Sequence, residues 1–448
     1  MLLYPDSGSC IEVVFMGNDV IIDDGWVCWD NKRNAPRLNC RKWRMRHDYW
    51  LAGSFEKRLV EELILAEFKI HYRLQDRNVL IHRAPNPSSR SMLTLEVFAD
   101  GVRLGVVEYR IGEKWMIHPS GGLASLLNSL GAYSVEAEPG YGRWLKGKKV
   151  KVVGDINGLR WILLDLDKYV GVARVIDASK KLVKVKDVAP KGFKPLPATG
   201  IIQVVEANRS LLETAINEAV GFLKKTLENV TDGIAVSYSG GADSTASLVL
   251  SQEALGHARI KVVYVDTGMD LPGVKEYALR ILDKLGLTPH VVSSGLDPLN
   301  EIASRGLPTR DNRWCTRILK LEPLRRFYRE HDIRFVIDGS RSRESSSRAE
   351  TPRISRNPLI PEVTRILPIK WWSRLLVQLY LVNKGIELNP LYDEGFTRLG
   401  CILCPAMHPH ELELSYTKHR YWFERLREVT GLSINDVMMY FYSEKEKQ

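Results

Sequence analysis

Between Gly233 and Leu250 the chain reads GIAVSYSGGADSTASLVL. A short apolar run, Ile234-Ala235-Val236, leads into a turn with Gly240 and Gly241, and then into Ala, Leu and Val at helical spacing. Strand, glycine turn and helix together leave backbone N–H groups without intrahelical partners at a helix N-terminus, where the helix dipole favours negative charge. Such a turn suits phosphate. Gly240 and Gly241 let the main chain approach an anion closely, and Ser237, Ser239 and Ser244 bring hydroxyl donors beside Asp243. A second reactive set is sulfur. Cys401-Ile402-Leu403-Cys404 is a C-x-x-C pair, with Cys315 upstream in WCTRILKLEPL. Six cysteines are too few to staple a chain of 448 residues, so paired cysteines here point to metal or redox chemistry in a reducing compartment.

The elements that position these residues alternate. Runs at 260–265, 290–292 and 334–337 read as buried strands, and 274–285 and 319–331 as helices. Continuous apolar strands separated by helices predict a parallel sheet covered on both faces, with ligands at the carboxyl ends of its strands. That rule gathers residues 237–244, Asp266-Thr267-Gly268 and residues 339–348 into one crevice. Asn208 is expected to cap a preceding helix carrying Leu211, Leu212, Ala215, Ala219, Phe222 and Leu223.

The pattern S-G-G-x-D-S resembles the pyrophosphate loop (PP-loop) of adenine-nucleotide α-hydrolase-like enzymes. With VDTGMDLPGVKEYA (265–278), GSRSRESSSR (339–348) and NPLYDEGFTRLGCILCP (389–405), it resembles, in order and phrasing, the phosphoadenosine phosphosulfate (PAPS) reductase family. The resemblance implies a doubly wound α/β nucleotide-binding domain over 205–448. It places Ser237, Ser239, Gly240, Gly241, Asp243 and Ser244 at the nucleotide phosphates, and Asp266 and Gly268 at a second nucleotide contact. Gly339, Arg341, Glu344, Ser345 and Arg348 fall on a segment whose arginines face the anionic end of the substrate; a guanidinium fork matches such oxygens. Asp243, Arg341 and Arg348 are the residues expected to carry the chemistry, with ATP, adenylyl sulfate or PAPS as the nucleotide and Mg²⁺ as counterion.

Two departures from the family stand out. Adenylyl-sulfate reductases hold a 4Fe–4S cluster with four cysteines, two of them in tandem, whereas Thr316 follows Cys315 here. Cys315, Cys401 and Cys404 would hold a cluster with one open iron, or, with His408, a Cys₃His zinc site. The reductases also use a cysteine near the C-terminus as nucleophile, and no cysteine follows Cys404.

Residues 126–195 read as a basic module. From Tyr141 to Lys194 there are 14 Lys and Arg against 5 Asp, a net +9 in a chain whose net charge is +10. Strands at 149–153, 160–166, 170–176 and 182–185 suggest a small barrel or sandwich. VVGDINGLRWILLDLDKYVGVARV resembles the PUA RNA-binding domain, which makes Lys146, Lys148, Lys149 and Lys151 candidate phosphate contacts to RNA, tRNA foremost. The segment 190–197 reads as a linker.

Residues 1–125 read as an α+β region, with strands at 11–15 and 19–22 about a Gly17-Asn18 turn and a helix at 55–70. Strands at 93–98 and 102–109 are joined by Asp100-Gly101, a strong hairpin signal. Trp26, Trp29, Trp43 and Trp50 read as core more readily than as base-stacking residues. Cys10, Cys28 and Cys40 lack metal-ligand spacing. No apolar run is of transmembrane length and no leader pattern opens the chain, which places it in the cytoplasm as an expectation.

Three functions fit these features. The first is ATP-dependent activation and thiolation of RNA, with an unknown sulfur donor. The second is thiol-dependent reduction of adenylyl sulfate or PAPS. The third is non-catalytic binding of RNA or the ribosome by an old enzyme fold.

Overall fold

A computed structural model describes residues 14–16, 19–86, 91–137, 145–357 and 359–442. The expected strand at 11–13, the Gly17-Asn18 turn, Cys10, the first basic residues near Arg143 and the tail after Tyr442 lie outside the described residues.

The Asp100-Gly101 dipeptide does what its chemistry demands. Both residues adopt left-handed φ, 51° and 77°, the backbone a two-residue hairpin needs. They join Ser91–Ala99 to Val102–Arg110 inside a five-stranded antiparallel sheet that also holds Lys114–Pro119, Val79–Arg83 and Tyr49–Leu51. The buried Asp100 carboxylate accepts hydrogen bonds from Tyr72, Arg77 and Asn34, so the turn is fixed from below. The predicted helix runs from Ser54 to Phe68 against this sheet.

Ahead of it, Trp26–Asp30 pairs with Ala35–Leu38 and Trp43–Arg44. Cys28 and Cys40 form a disulfide beside this small sheet. That departs from the expectation of a reducing compartment with too few cysteines for disulfides; spacing alone hid a pairing that strand geometry makes. Trp29 and Trp50 are buried, as expected of core, and donate to Asn34 and Glu56.

The four expected short strands are joined by a fifth, Ser134–Ala137, and close into a barrel: Ser134–Ala137, Lys149–Val153, Leu182–Pro190, Tyr169–Asp177 and Trp161–Leu166 in order around it. Along Lys149–Val153 the valines at 150 and 152 are buried while Lys149 and Lys151 are exposed, so both lysines stand on the outer wall.

The third unit begins with α1 (Arg209–Thr226). Asn208 precedes it, but its side chain makes no cap bond. Its amide instead accepts from Leu38 N and donates to the Pro36 and Val204 carbonyls, clamping the N-terminal strand onto the helix. Tertiary partners outcompeted the local cap.

A six-stranded sheet follows, built from β1 (Ile234–Tyr238), β2 (Lys261–Asp266), β3 (Pro289–Ser293), β4 (Phe335–Ile337), β5 (Ile354–Asn357) and β6 (Ile360–Ile366). The order is β3-β2-β1-β4-β6-β5, parallel except for the β5–β6 hairpin at the edge. From β1 the chain moves one way to β2 and later returns to the other side as β4. The carboxyl ends of β1 and β4 therefore flank a topological switch point, where such sheets open a crevice. Helices α2 (Ala242–Leu255), α3 (Val274–Lys284) and α4 (Arg374–Asn383) follow from this winding.

A single apolar core joins the N-terminal residues Val27, Leu38, Met45 and Tyr49 to Val236, Tyr264 and Leu376 of the sheet unit. Each such side chain contributes about 1.5–3 kcal/mol on burial. Gln378 on α4 adds an amide clamp, accepting from Leu51 N at 2.8 Å and donating to Leu51 O at 3.1 Å. Among the described residues no helix is long and apolar enough to cross a membrane.

Candidate nucleotide site

The switch point opens into a cavity of about 700 Å³. Ser237, Ser239, Gly241, Asp243 and Ser244 line it, as do Thr267, Gly339, Arg341, Glu344, Arg348, Cys401 and His408. The three stretches that the sheet rule gathers in the sequence thus meet in one place.

The bend after β1 is held by its own hydroxyls. Ser244 Oγ accepts from Ser239 N at 3.2 Å and donates to Gly241 O at 2.9 Å. Gly240 has a left-handed φ of 72°, and a Cβ there would sit 2.9 Å from the Ala278 methyl. Its glycine is thus required for packing on α3, whereas Gly241 faces the cavity. Gly339, after β4, is the tightest of the glycines lining this cavity: a Cβ would meet Asp243 C and O at 2.7 Å and Ser244 N at 2.8 Å. Only a residue without a side chain lets the β4 loop lie against the first turn of α2. The Tyr392 hydroxyl accepts from Ala242 N at 3.2 Å and occupies one of the amides an anion would use.

Arg341 is 3 % exposed. It donates Nε to Asp243 at 2.8 Å, and its Nη1 pairs with Asp48 at 2.9 Å. Burial pushes the Asp243 carboxyl up, and Arg341 offsets only part of that shift. Arg348 pairs with Glu344, which also accepts from Arg341 N at 2.8 Å. Both arginines expected to face substrate thus have carboxylate partners. Asp266 accepts from Gly268 N and pairs with Lys275; these two residues and Ser345 stand outside the cavity lining, and Ser345 caps the short helix carrying Arg348.

The cavity's other wall comes from the N-terminal unit: Asp48, Trp50, Arg83, Asn86, Met92 and Leu93. Sequence reasoning missed these residues. An isolated Asp or Arg in a strand carries no motif; the one available signal was that a polar residue such as Asp48 sits directly before the apolar run Tyr49-Trp50-Leu51. Arg343 ties the two units further, donating to Asp23 O at 2.9 Å and Met45 O at 3.2 Å and lying over the Tyr49 ring.

The sulfur residues share one side of the cleft. Segment 400–402 zips onto 269–271, with Leu271 N donating to Gly400 O and Ile402 N to Met269 O. This sets Cys401 Sγ 3.9 Å from Thr267 Oγ1, beside Asp270, which accepts from Thr267 and Tyr264. Burial, then Cys404, Asp270 and Cys315, push the Cys401 thiol up to about 12. The Cys315 thiol is raised by burial and by Cys404. Three thiols on one side of a cleft are a donor set that suits a cation, but among the described residues no three His, Cys, Asp or Glu side chains are gathered closely enough to hold a metal ion. Of the four residues expected to bind metal, Cys401 and His408 line the cavity and Cys315 and Cys404 pack behind it.

His408 stands at the start of α5 (Pro409–Lys418), and burial above all holds its imidazole down to about 3. His410 is likewise lowered by burial. His408 is therefore neutral in the fold and takes up a proton near 6.5 when unfolded, so stability is complete above pH 6.5 and falls as pH drops below it; the lowered His410 acts in the same direction. The expected loss from His408 alone is about 1.4 kcal/mol per pH unit. Urea unfolding at pH 7 and pH 5.5 checks this, and equal stabilities would contradict it.

Residues 233–407 match the phosphoadenosine phosphosulfate reductase domain. A phosphoadenosine 5'-phosphosulfate reductase of Salmonella paratyphi A is 28% identical over 204 residues, covering 45% of this chain and 80% of that protein. The chain thus carries a phosphoadenosine phosphosulfate reductase domain in its C-terminal half. Over more of its length it is similar to two proteins of Methanocaldococcus jannaschii. Uncharacterized protein MJ0973 is 30% identical over 330 residues, 69% of this chain and 75% of that one. Uncharacterized protein MJ0066 is 29% identical over 394 residues, 81% and 80% of the two chains.

Proposed function

We propose that this chain is an ATP-dependent enzyme of sulfur chemistry that adenylates a nucleobase oxygen of an RNA, a transfer RNA foremost, and exchanges that oxygen for sulfur. Attack of the base oxygen on the α-phosphorus releases pyrophosphate, and a sulfur nucleophile then displaces AMP. The observation carrying this reading is that the amide-lined bend at 239–244 and the Cys401 thiol line one cavity. Pre-aimed N–H dipoles stabilise charge that grows on the departing pyrophosphate. Mg²⁺ would ride on the triphosphate, with the cavity-facing Asp243 and Asp338 as its oxygen ligands. An iron–sulfur cluster with an open iron, or zinc, would need Cys315, Cys401 and Cys404 to draw closer together than they stand in this structure.

The barrel is the RNA-holding module of this proposal, a PUA-like domain that would present Lys148, Lys149 and Lys151 to phosphates. All three lysines are exposed, while Lys146 pairs with Asp187 at 2.8 Å. Binding carried by them weakens steeply with salt.

A second reading, reduction of PAPS or adenylyl sulfate by a thiol donor, is favoured by the reductase named above, 28% identical to this chain over 204 residues. The two separate in one assay. RNA-dependent release of pyrophosphate and AMP from ATP is the expected result. Release of sulfite from a sulfonucleotide with a thiol donor, and no RNA-stimulated ATP turnover, would overturn the thiolation proposal. Iron, sulfide and zinc analysis of anaerobically purified protein tests the metal.

A further inference from the structure

Arg83, Arg310 and Arg398 come from three separate stretches: the end of strand Val79–Arg83, the loop before Trp314 and the loop before Cys401. Each is exposed to solvent, yet all three line the same cavity. The cleft's walls desolvate the Arg83 guanidinium even though part of the residue reaches solvent, and Arg310 and Arg398 are close enough to add to that effect and hold it below its usual range. The carboxylates facing Arg83 are Asp48 and Glu411. Both are already engaged, Asp48 with Arg341 and Glu411 with Thr397 and the His408 N–H. Among the described residues none of the three arginines has a carboxylate within ion-pair distance. Arg310 donates Nε to Pro405 O at 2.9 Å, which aims its terminal N–H groups and leaves them uncommitted.

Like charges converging on a cavity without a protein counterion are unfavourable unless a ligand brings the opposite charge. Guanidinium groups supply paired donors at the spacing of phosphate oxygens. The bend at 239–244 has its own amides for nucleotide phosphates and does not need these side chains.

We propose that Arg83, Arg310 and Arg398 form a second oxyanion subsite, which holds a phosphoester of the second reactant while a nucleotide occupies the bend. This rests on the nucleotide reading above. Arg83 belongs to the N-terminal unit, outside residues 233–407 that match the reductase domain, so the subsite exists only where that unit closes the cleft. A phosphodiester of an RNA strand and the extra phosphate of a small nucleotide offer the same chemistry.

The test is calorimetric titration of the full-length protein with ATP, with a short single-stranded oligoribonucleotide, and with adenosine 3′,5′-bisphosphate. Wild type is compared with Arg83→Gln and Arg398→Gln, which lie on different segments, and melting curves confirm that each folds. Both variants are expected to bind ATP within about twofold of wild type and to lose about tenfold in affinity for one of the other probes, with a salt slope lower by about one. Loss on the oligoribonucleotide assigns the subsite to RNA, and loss on the bisphosphate to a small nucleotide. Unchanged affinity for both probes overturns the proposal, as does failure of wild type to bind either probe at millimolar concentration. Equal loss of ATP affinity overturns it too, because the arginines then serve the bend. Failure of wild type to bind ATP while a probe still responds to the variants sinks the nucleotide reading instead.

Discussion

Gly339→Val is expected to weaken nucleotide binding by up to about a hundredfold while the chain still folds. The added Cβ meets Asp243 C and O at 2.7 Å and Ser244 N at 2.8 Å, all main-chain atoms that no rotamer change can move. The first turn of α2 must shift by several tenths of an ångström, and the amides that face the anion shift with it. Overpacking of this kind costs about 1–3 kcal/mol of stability. A binding geometry misplaced by about 1 Å costs on the order of a hundredfold. Titration with ATP reads the affinity and thermal melting reads the fold. Gly241→Ala is the contrasting variant. There a Cβ has Ser239 Oγ at 3.5 Å and Tyr392 OH at 3.7 Å, ordinary contact distances, so its effect should be much smaller. Equal affinities for Gly339→Val and wild type would show that the bend is not where the nucleotide sits.

Arg341→Met is expected to destabilise the protein by about 3–5 kcal/mol, the cost of removing one member of a buried charge cluster. Arg341 is 3 % exposed and is shared by Asp243 of the phosphate bend and Asp48 of the N-terminal unit. Removing it leaves two carboxylates facing each other in a poorly hydrated space. Asp48→Asn should cost less, since Asp243 still neutralises the guanidinium. Urea unfolding measures both variants. If Arg341 were instead a free cation waiting for substrate, Arg341→Met would leave stability intact and weaken only nucleotide binding. Arg341→Lys should rescue little, because an ammonium cannot serve two carboxylates through the same planar fork.

These two cases show what was legible in the sequence and what was not. The bend at 239–244 was legible because its function is local: strand, glycines and hydroxyls are adjacent in the chain, and the sheet rule then assigns the crevice. The Asp100-Gly101 hairpin was legible for the same reason. The ion pair of Arg341 with Asp48 was not, because it joins the bend to a strand in another unit and neither residue's neighbours announce it. The arginine segment read as substrate-facing since it resembles one; the partners at Asp48, Asp243 and Glu344 appear only in three dimensions. Asn208 shows the opposite failure. Its local chemistry predicted a cap, and a tertiary contact with Leu38 and Pro36 claimed its amide. The edge hairpin β5–β6 went unread because Ile354–Asn357 alternates poorly and carries little apolar pattern.

The N-terminal unit is therefore part of the site rather than an appendage. It supplies Asp48 to hold Arg341 and Arg83 to line the cleft, and Arg343 anchors it through Asp23 and Met45. The similarity to the two Methanocaldococcus jannaschii proteins extends over most of the chain, beyond the reductase domain.

The most direct measurement is a crystal structure of the full-length protein with ATP and Mg²⁺. The account predicts phosphate oxygens within hydrogen-bond distance of the main-chain N–H groups between Gly240 and Ser244, with the Tyr392 hydroxyl displaced from Ala242 N. Nucleotide bound elsewhere, with Tyr392 still seated on that amide, would contradict it.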